Sequence, residues 1–355
     1  MKLLICTQKA DRDDAVLGFF HTWIEEFAKN CESVSVICLE EGRHEFPENV
    51  QVYSLGKGKG TRSSLGDRLK YTRKFFELAL KLRKDYDTVF VHMNPIYVAE
   101  AGWLWKLLGK KVGLWYTHRN VDMKLRVAEK FADSIFTAAK QSFTLKSDKV
   151  MVVGHGIDVA SYANMKRLKP LGTEPVSILT VSRITPIKDP IVLVEAAKIL
   201  KEKWPRKFKV TFIGSPMVAG DDGYSEKVHG LVEEYGLQDV ISFAGDVNTR
   251  DMPAQYASLD LAVNMTPTGG LDKVVFESMA AGVPVITSNT AFREYFGTYA
   301  DRLIFEHGNA NDLAAKIMSL INASDILYVG KTLQETALHR ADLSVLIRGI
   351  IERLS

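Results

Sequence analysis

Two cations, Arg183 and Lys188, lie five residues apart in the stretch TVSRITPIKDP. They follow the apolar run SILTV, which predicts a strand, and they precede a predicted helix that begins near Asp189. Ligands of parallel α/β sheets bind beyond the carboxyl ends of the strands. Two cations at such an edge suit a diphosphate, because the first N–H groups of the helix add to their field. The alternative interpretation is two ordinary surface cations.

One carboxylate, Glu277, lies in the stretch TPTGGLDKVVFESMAAGVPVITS, about a turn and a half into a helix that we predict to begin near Asp272. The turn before this helix contains Gly269 and Gly270 and follows the predicted strand LDLAVNM. Free N–H groups at the helix start favour an anion. A carboxylate in the following turn can accept hydrogen bonds from two adjacent sugar hydroxyls.

Glycines follow two further predicted strands of the same half of the chain. Gly214 follows KVTFI and Gly245 follows ISFA, and both would let a flat ligand approach the backbone. Each glycine alone is more typical of a plain turn. Together, the cations, the carboxylate and the glycines indicate a nucleoside diphosphate site with a counterpart for the phosphates, the ribose and the base.

The elements that position these residues are indicated by short apolar runs that alternate with helical patterns. Continuous Val- and Ile-rich runs separated by helices are typical of parallel strands buried on both faces, so we expect two doubly wound α/β domains. The boundary should lie near 158–175, where strand periodicity is lost and Pro, Gly and charge increase. The predicted strands are KLLIC, VSVICL, TVFVHM, KVGLWYT, SIFTAA and KVMVV in the first half, and SILTVS, KVTFIG, ISFAG, LDLAVNM and VPVITS in the second.

Length and composition agree with two globular domains. The chain has 355 residues, and domains typically have about 100–200 residues. Hydrophobic residues make up 46% of it, and the net charge of +3 gives no reason to expect a nucleic-acid partner. Cys6, Cys31 and Cys38 show no CxxC spacing, which argues against a disulfide scaffold or a zinc site and favours a reducing compartment.

The sequence predicts a cytoplasmic protein that contacts a membrane at most peripherally. MKLLICTQ is too short an apolar stretch for a signal peptide and predicts a first strand, and no run reaches about 18 apolar residues. The segment 56–84 carries ten Lys or Arg and two acids, a local net charge of +8. It is either a solvated helix face or a basic amphipathic surface for anionic lipid or an anionic acceptor, which would place the protein on the inner face of the membrane.

Several motifs in order resemble the retaining glycosyltransferases of family four. They are GHGIDVASY, TVSRITPIKDP, TFIGSP, FAGDV and MPAQYASLDLAVNMTPTGGLDKVVFESMAAGVPVI, within 150–305. The first half resembles the family more weakly, in MKLLICTQ, YTHRN and AEKFADSIFTAA. The resemblance implies the GT-B fold, with two Rossmann-like domains that face each other across a central cleft. We expect an acceptor-side domain over 1–157, a nucleotide-sugar domain over 158–339, and a C-terminal helix, about 340–355, that packs back on the first.

The resemblance also implies roles for single residues. Arg183 and Lys188 match the pair that binds the donor diphosphate and stabilises the leaving nucleotide, and Glu277 matches the glutamate that holds the ribose. His118 matches a histidine near the transferred sugar. Gly245 and Val247 lie where the base is contacted, and Gly214 lies at the neighbouring strand end. Gly18 would allow the first loop to approach the donor. Candidates for the acceptor side are His21, Trp23, His92 and Asn94.

The family pattern is broken at one position. The family usually has a glutamate eight residues before Glu277, and here that residue is Gly269. Lys273 also lies where an uncharged residue is more common. We expect altered recognition of the donor sugar, with the backbone amides of Gly270, Leu271 and Asp272 contributing more. A weakened enzyme is the alternative.

The function implied is transfer of a hexose from a nucleotide diphosphate sugar to a hydroxyl of a glycan or lipid-linked precursor, with retention and without a metal or other cofactor. Two Asp-x-Asp pairs, Asp11/Asp13 and Asp85/Asp87, are weak candidates for metal binding, because the second precedes its strand. Two alternatives are left open. One is a catalytically degenerate nucleotide-binding protein, and the other is a sugar-nucleotide epimerase of the same fold.

Overall fold

A computed structural model describes residues 1–14, 16–58, 60–61, 64–216 and 222–355. The chain divides into two compact units. Unit 1 comprises Met1–Gly156 and Leu343–Ser355, and unit 2 comprises Ile157–Asp342. Each unit contains one parallel β-sheet flanked by helices, so the predicted fold class of two doubly wound α/β domains is confirmed.

The sheet of unit 1 has the strand order β3-β2-β1-β4-β5-β6-β7, and that of unit 2 has the order β10-β9-β8-β11-β12, within the described residues. The strands of unit 1 are β1 (Lys2–Ala10), β2 (Ser33–Glu41), β3 (Val50–Ser54), β4 (Thr88–His92), β5 (Lys111–Trp115), β6 (Ser134–Thr137) and β7 (Val150–Val152). The strands of unit 2 are β8 (Val176–Val181), β9 (Phe208–Ile213), β10 (Ile241–Gly245), β11 (Leu261–Asn264) and β12 (Val285–Thr287).

Most successive strands are connected by a helix, as is usual for parallel pairing, and α10–α14 follow the last strand. They are α1 (Phe19–Asn30), α2 (Leu65–Lys81), α3 (Ile96–Leu107), α4 (Met123–Phe131), α5 (Val159–Ala163), α6 (Pro190–Lys203), α7 (Asp222–Glu234), α8 (Met252–Gln255), α9 (Lys273–Ala280), α10 (Arg293–Phe296), α11 (Ala300–Leu303), α12 (Ala310–Ile321), α13 (Ile326–Arg340) and α14 (Leu343–Leu354). Short 3₁₀ turns lie at Lys140–Ser142, Pro186–Lys188, Thr290–Phe292 and Gly297–Tyr299.

The strand β3 was absent from the sequence-based predictions, and its position explains why. It is one of the two edge strands of the unit 1 sheet, and within the described residues it pairs with β2 alone. Its residues VQVYS are half-buried or exposed, so they lack the continuous apolar run of a strand that is covered on both faces. By contrast, all five residues of β4 are buried.

The C-terminal helix α14 packs within unit 1, against α1, β5 and β6. Its last turn lies over Gly113, where a Cβ atom would be 2.9 Å from both Leu354 methyl carbons. The hydroxyl of Thr88 also donates to the Leu354 carbonyl at 3.4 Å. The helix thus completes the core beside the central strands of the sheet, although it is far away in sequence.

Both sheets reverse their strand order at one point, where ligands of doubly wound folds bind. In unit 1 the reversal lies between β1 and β4, and in unit 2 between β8 and β11. The loops that follow β8 and β11 are therefore neighbours at the carboxyl edge of the unit 2 sheet. These loops contain the predicted cations and the predicted glycine turn.

No single helix among the described residues has both the length and the apolar character needed to cross a membrane. The helices α12 and α13 have this length and apolar character only when they are taken together, and they meet at a bend of 103°. Both helices bury apolar residues inside the structure, among them Leu313, Ile317, Val329 and Leu333.

Candidate functional site

The carboxyl ends of β8, β9 and β10 are joined by backbone hydrogen bonds. The Ser182 N–H donates to the Ile213 carbonyl at 2.9 Å, and the Gly214 N–H donates to the Gly245 carbonyl at 2.8 Å. A Cβ atom on Gly214 would lie 2.2 Å from the Ser182 carbonyl oxygen, and the φ of Gly214 is +122°. Only glycine fits at position 214. The three strand ends bring Arg183, Gly214 and Gly245 to one edge of the sheet.

The loop after β8 turns sharply before α6. Pro186–Lys188 forms one 3₁₀ turn, and Asp189 adopts a left-handed conformation with φ of +45°. Pro190 then begins α6 as its first residue, where the missing N–H costs nothing. Arg183 is exposed at the start of this loop, and Lys188 is half-buried at its end.

Lys188 forms an ion pair with Asp272 across the reversal of strand order. Its Nζ lies 2.9 Å from Oδ1 and 3.0 Å from Oδ2 of Asp272, and it also donates to the Thr266 hydroxyl at 3.0 Å. Asp272 is the residue before α9, and its side chain makes no capping hydrogen bond to that helix. Its carboxylate instead positions the cation. The sequence suggested only the backbone amide of Asp272 as a ligand-binding group.

Asp272 is itself held by buried polar side chains. The Asn264 amide donates to Asp272 Oδ2 at 2.9 Å, and the Thr287 hydroxyl donates to the Asn264 carbonyl oxygen at 2.9 Å. Burial alone would raise the pKa of Asp272, but the Lys188 charge and the hydrogen bonds from Thr266, Asn264 and Lys188 keep it below its usual value. The carboxylate is therefore ionised and fixed in orientation.

The glycine turn is held by residues that follow β12. The Asn289 amide donates to the Gly270 carbonyl at 2.6 Å, and the Ser288 hydroxyl donates to the Thr266 carbonyl at 3.0 Å. Gly269 and Gly270 are half-buried, and Leu271 is buried. Two neighbouring strand ends thus fix the conformation of the turn.

Glu277 lies in a buried polar cluster. Its carboxylate accepts hydrogen bonds from the hydroxyls of Tyr162 and Tyr256, whose rings are 5.6 Å apart. Burial raises the pKa of Glu277, and the nearby Lys273 charge and the two hydroxyls oppose this. Burial lowers the pKa of Lys273 to about 8, against the attraction of Glu277 and Asp272.

The two tyrosines were not among the predicted site residues. Tyr162 comes from α5 and Tyr256 follows α8, so both are distant from Glu277 in sequence. Tyr162 ends the motif GHGIDVASY and Tyr256 lies in MPAQYASLDLAVNM, but neither motif assigns its tyrosine a chemical role, and only the fold brings the two together. A carboxylate has about four acceptor sites, so two tyrosine donors leave others for a ligand. The role of Glu277 in ribose binding stays a prediction.

In unit 1, two predicted residues lie at loop positions. His118 follows β5 and is exposed, and its Nδ1 accepts a hydrogen bond from the Asn120 N–H at 3.2 Å. Gly18 precedes α1, where a Cβ atom would lie 2.5 Å from the Asp14 carbonyl oxygen. Glycine is therefore needed at this position for the close approach of the preceding turn.

The acceptor-side candidates have different surroundings. His92 is buried, stacks on Phe20 with ring centroids 3.8 Å apart, and lies 3.3 Å from the Thr7 hydroxyl. His21 is also buried and stacks on Phe46 at 4.1 Å. The remaining two are Trp23, which is buried, and Asn94, which is half-buried and donates to Gln8 at 3.2 Å. In unit 2, Val247 is half-buried after β10.

Among the described residues, no group of three or more His, Cys, Asp or Glu side chains is arranged to hold a metal ion. In the first Asp-x-Asp pair, the Asp13 N–H donates to Asp11 Oδ1 at 3.1 Å, which is a local turn contact. In the second, Asp87 accepts from the Lys2 N–H at 3.3 Å. Both pairs therefore make contacts within the fold.

The two doubly wound units define the GT-B fold, and solved structures share it over the whole chain. A structure of Anabaena HepE in complex with UDP and glucose matches with a TM-score of 0.77 and 18% identity, over 100% of this chain and 99% of that one. A glycosyltransferase from Rickettsia africae matches with a TM-score of 0.75 and 16% identity, over 99% and 97%. These likenesses concern the fold.

Residues 163–330, within unit 2, match the model for glycosyl transferases group 1 and make up slightly less than half of the chain. The chain is 22% identical over 246 residues to the putative colanic acid biosynthesis glycosyltransferase WcaL of Escherichia coli, covering 66% of this chain and 57% of the relative.

A second curated relative is a GDP-mannose-dependent phosphatidylinositol monomannoside mannosyltransferase of Mycobacterium tuberculosis. It is 30% identical over 140 residues, covering 38% of this chain and 34% of the relative. The matched part of the chain thus spans between a third and somewhat over half of these curated relatives.

Proposed function

We propose that the chain is a glycosyltransferase that moves a hexose from a nucleotide diphosphate sugar to a hydroxyl of a glycan or lipid-linked precursor, with retention of configuration. The observation that carries this proposal is the position of Arg183 and Lys188 at the reversal of strand order in unit 2. Ligands bind at this point in doubly wound folds, and the paired cations suit a diphosphate. The match of residues 163–330 to the glycosyl transferases group 1 model supports the assignment.

The chemistry of these residues is electrostatic. As the glycosidic bond breaks, positive charge develops on the sugar and negative charge on the leaving diphosphate. Arg183 and Lys188 stabilise that negative charge, and Asp272 fixes Lys188 before the donor arrives. Loss of one preorganised donor of this kind typically costs about 3–4 kcal/mol of barrier, by analogy with oxyanion holes. The acceptor hydroxyl attacks from the face that the nucleotide leaves, so no protein nucleophile and no metal take part.

The donor class is supported by the relatives. The Anabaena structure contains UDP and glucose, and the mycobacterial relative is named as dependent on GDP-mannose. A nucleotide diphosphate hexose fits the same arrangement here. The base is placed beside Gly245 and Val247, and the ribose beside Glu277, as the family resemblance implies.

Recognition of the donor sugar is proposed to differ from the family pattern at the glycine turn. Gly269 has no carboxylate to offer, and Lys273 adds a nearby cation whose pKa is lowered by burial to about 8. The backbone amides of Gly270, Leu271 and Asp272 lie where the turn meets α9 and are candidates for binding hydroxyls of the sugar.

We also propose that the protein acts in the cytoplasm, at the inner face of the membrane, through the basic segment 56–84. Lys59, Arg62 and Ser63 of this segment lie outside the described residues. The rest includes α2, where Leu65 is 75% and Leu69 68% exposed. Exposed leucines beside lysines and arginines suit an interfacial helix. Co-sedimentation with liposomes should rise with anionic lipid and fall with salt, and binding indifferent to both would contradict this proposal.

The function is tested with a panel of UDP-, GDP-, ADP- and TDP-hexoses. Release of nucleoside diphosphate that requires an acceptor, with an α-linked product from an α-linked donor, is the expected result. Activity should survive EDTA. An epimer formed without acceptor would support the epimerase, and nucleotide binding without any turnover would support the degenerate binder.

A further inference from the structure

A cavity of about 830 Å³ lies entirely within unit 1, and its lining includes Asn94, a candidate for the acceptor side. It opens at the carboxyl side of β1, β2 and β4 and is bounded by α2 and α3. Cavities of about 300–1,000 Å³ are the usual size of small-molecule sites. The cavity is therefore large enough for an organic ligand.

The floor of the cavity is apolar. Leu55, Phe75 and Tyr97 line it and are almost fully buried, and the half-buried Leu39, Tyr71 and Ile96 present more of the apolar surface. The rings of Phe75 and Tyr97 are 5.0 Å apart, and the Tyr97 hydroxyl donates to the Thr7 carbonyl at 3.3 Å. Because the hydroxyl is held inside the core, the ring presents an apolar surface to the cavity, and this floor suits a hydrocarbon chain.

The rim of the cavity is cationic. Lys57, Arg68 and Lys124 line it, and Glu100 is the carboxylate among its lining residues. Lys57 also lies 3.8 Å from the buried Glu40 carboxylate, so Arg68 and Lys124 supply the excess of positive charge. Glu100 is half-buried and accepts a hydrogen bond from the Thr72 hydroxyl at 3.2 Å. The excess of positive charge at the mouth, above an apolar floor, favours a ligand with an anionic head and an apolar tail.

One helix joins this cavity to an exposed apolar surface. Arg68, Thr72 and Phe75 of α2 face the cavity at helical spacing. Leu65 and Leu69 form the neighbouring stripe of the same helix and are largely exposed. An amphiphile that partitions into a bilayer would meet these leucines next to the mouth of the cavity.

We propose that this cavity binds an anionic amphiphile, with its hydrocarbon chain on Leu55, Phe75 and Tyr97 and a phosphate-class head at Arg68 and Lys124. The inference rests on the proposed function, because it names the chemical class of the lipid-linked acceptor, and it concerns unit 1 alone. Donor turnover by the residues of unit 2 does not depend on it, so the two proposals fail separately.

The test is isothermal titration calorimetry of the full chain with decyl phosphate, below its critical micelle concentration. Inorganic phosphate and decanol are the two comparison ligands, because each contains only half of the proposed chemistry. Decyl phosphate should bind at least about tenfold more tightly than either one. The proposal would be overturned if inorganic phosphate or decanol bound as tightly as decyl phosphate. It would also be overturned if decyl phosphate did not bind.

Variants locate the binding. The double variant Arg68→Gln, Lys124→Gln should lower the affinity for decyl phosphate by about tenfold, because both cations lie at the rim. Lys70→Gln with Lys130→Gln removes the same charge from the same two helices but away from the cavity lining, and should change affinity less than about twofold. Equal effects of the two pairs would overturn the proposal.

A second variant tests the cavity by size. Thr72→Trp should fill it and abolish binding, since Thr72 is a half-buried lining residue. Thermal unfolding confirms that each variant is folded. Unchanged affinity of folded Thr72→Trp protein would contradict a ligand inside the cavity.

Discussion

The ammonium of Lys188 lies 2.9 Å from one carboxylate oxygen of Asp272 and 3.0 Å from the other, across the point where the strand order of unit 2 reverses. The cation proposed to meet the donor diphosphate is thus held by an internal anion. An incoming diphosphate must share Lys188 with this carboxylate, which weakens ground-state binding but keeps the cation in place.

Asp272→Asn should strengthen binding of nucleoside diphosphate by roughly three- to tenfold, because a negative charge close to the phosphates is removed. It should also lower the free energy of unfolding by about 1 kcal/mol, as a half-buried ion pair is lost. Calorimetry with UDP or GDP and urea denaturation measure the two effects.

Asp239→Asn is the matched control for that variant. It breaks the exposed Lys201–Asp239 pair, which lies 2.8 Å apart in the same unit. Nucleotide affinity should stay unchanged in the control. Asp272→Asn protein with weaker nucleotide binding would contradict the proposed competition for Lys188.

Lys188→Ala should abolish most transfer and also destabilise unit 2, because Asp272 is left without its cation. Adding Asp272→Asn should restore much of the stability but not the turnover. Initial rates and unfolding midpoints of the single and double variants separate the two roles. If the double variant recovered activity, Lys188 would act only in folding.

Gly214→Ala should disrupt the strand ends that position Arg183. The added Cβ would lie 2.2 Å from the Ser182 carbonyl oxygen, at a φ of +122°. The free energy of unfolding should fall by more than about 2 kcal/mol, and nucleotide binding should weaken. Gly236→Ala is the control, since its φ is +62° and a Cβ there meets nothing within 4 Å. Equal losses in both variants would show that backbone strain alone accounts for the effect.

We expect the stability of the fold to depend on pH through Lys273. Its pKa in the fold is about 8, below the usual 10.5, so between these values the unfolded chain binds more protons than the folded chain. Stability from this residue therefore rises as the pH increases through that window. Compared with Lys273→Met, the wild-type chain should gain free energy of unfolding between pH 7 and pH 10.

Urea denaturation of both chains across this range measures the difference. Thiols and tyrosines titrate in the same window, and the subtraction removes their contribution, because it is common to both chains. A difference that stays constant, or that falls with pH, would contradict a lowered pKa for Lys273.

Much of the fold followed from the sequence because parallel strands buried on both faces need continuous apolar runs. The edge strand β3 lacks such a run and was missed. The meeting of Arg183, Gly214 and Gly245 could also be expected, since the carboxyl ends of parallel strands share one edge.

Contacts between distant side chains could not be predicted in this way. Asp272 is 84 residues from Lys188, and no local pattern shows that its carboxylate leaves the helix start to bind a lysine. The motifs that contain Tyr162 and Tyr256 do not show that these hydroxyls meet Glu277. That contact depends on the packing of α5 on α9 and on the position of Tyr256 beside α9, which only the three-dimensional structure supplies.

The central claim is that Arg183 stabilises the leaving diphosphate, and the rate of acceptor-dependent nucleotide release at saturating donor tests it most directly. Arg183→Ala should lower this rate by about 10²–10³ in a protein that is still folded. Arg206 lies before β9, at the amino ends of the strands of the same sheet, so the control variant Arg206→Ala should retain the rate. Near-normal release by folded Arg183→Ala protein would contradict the account.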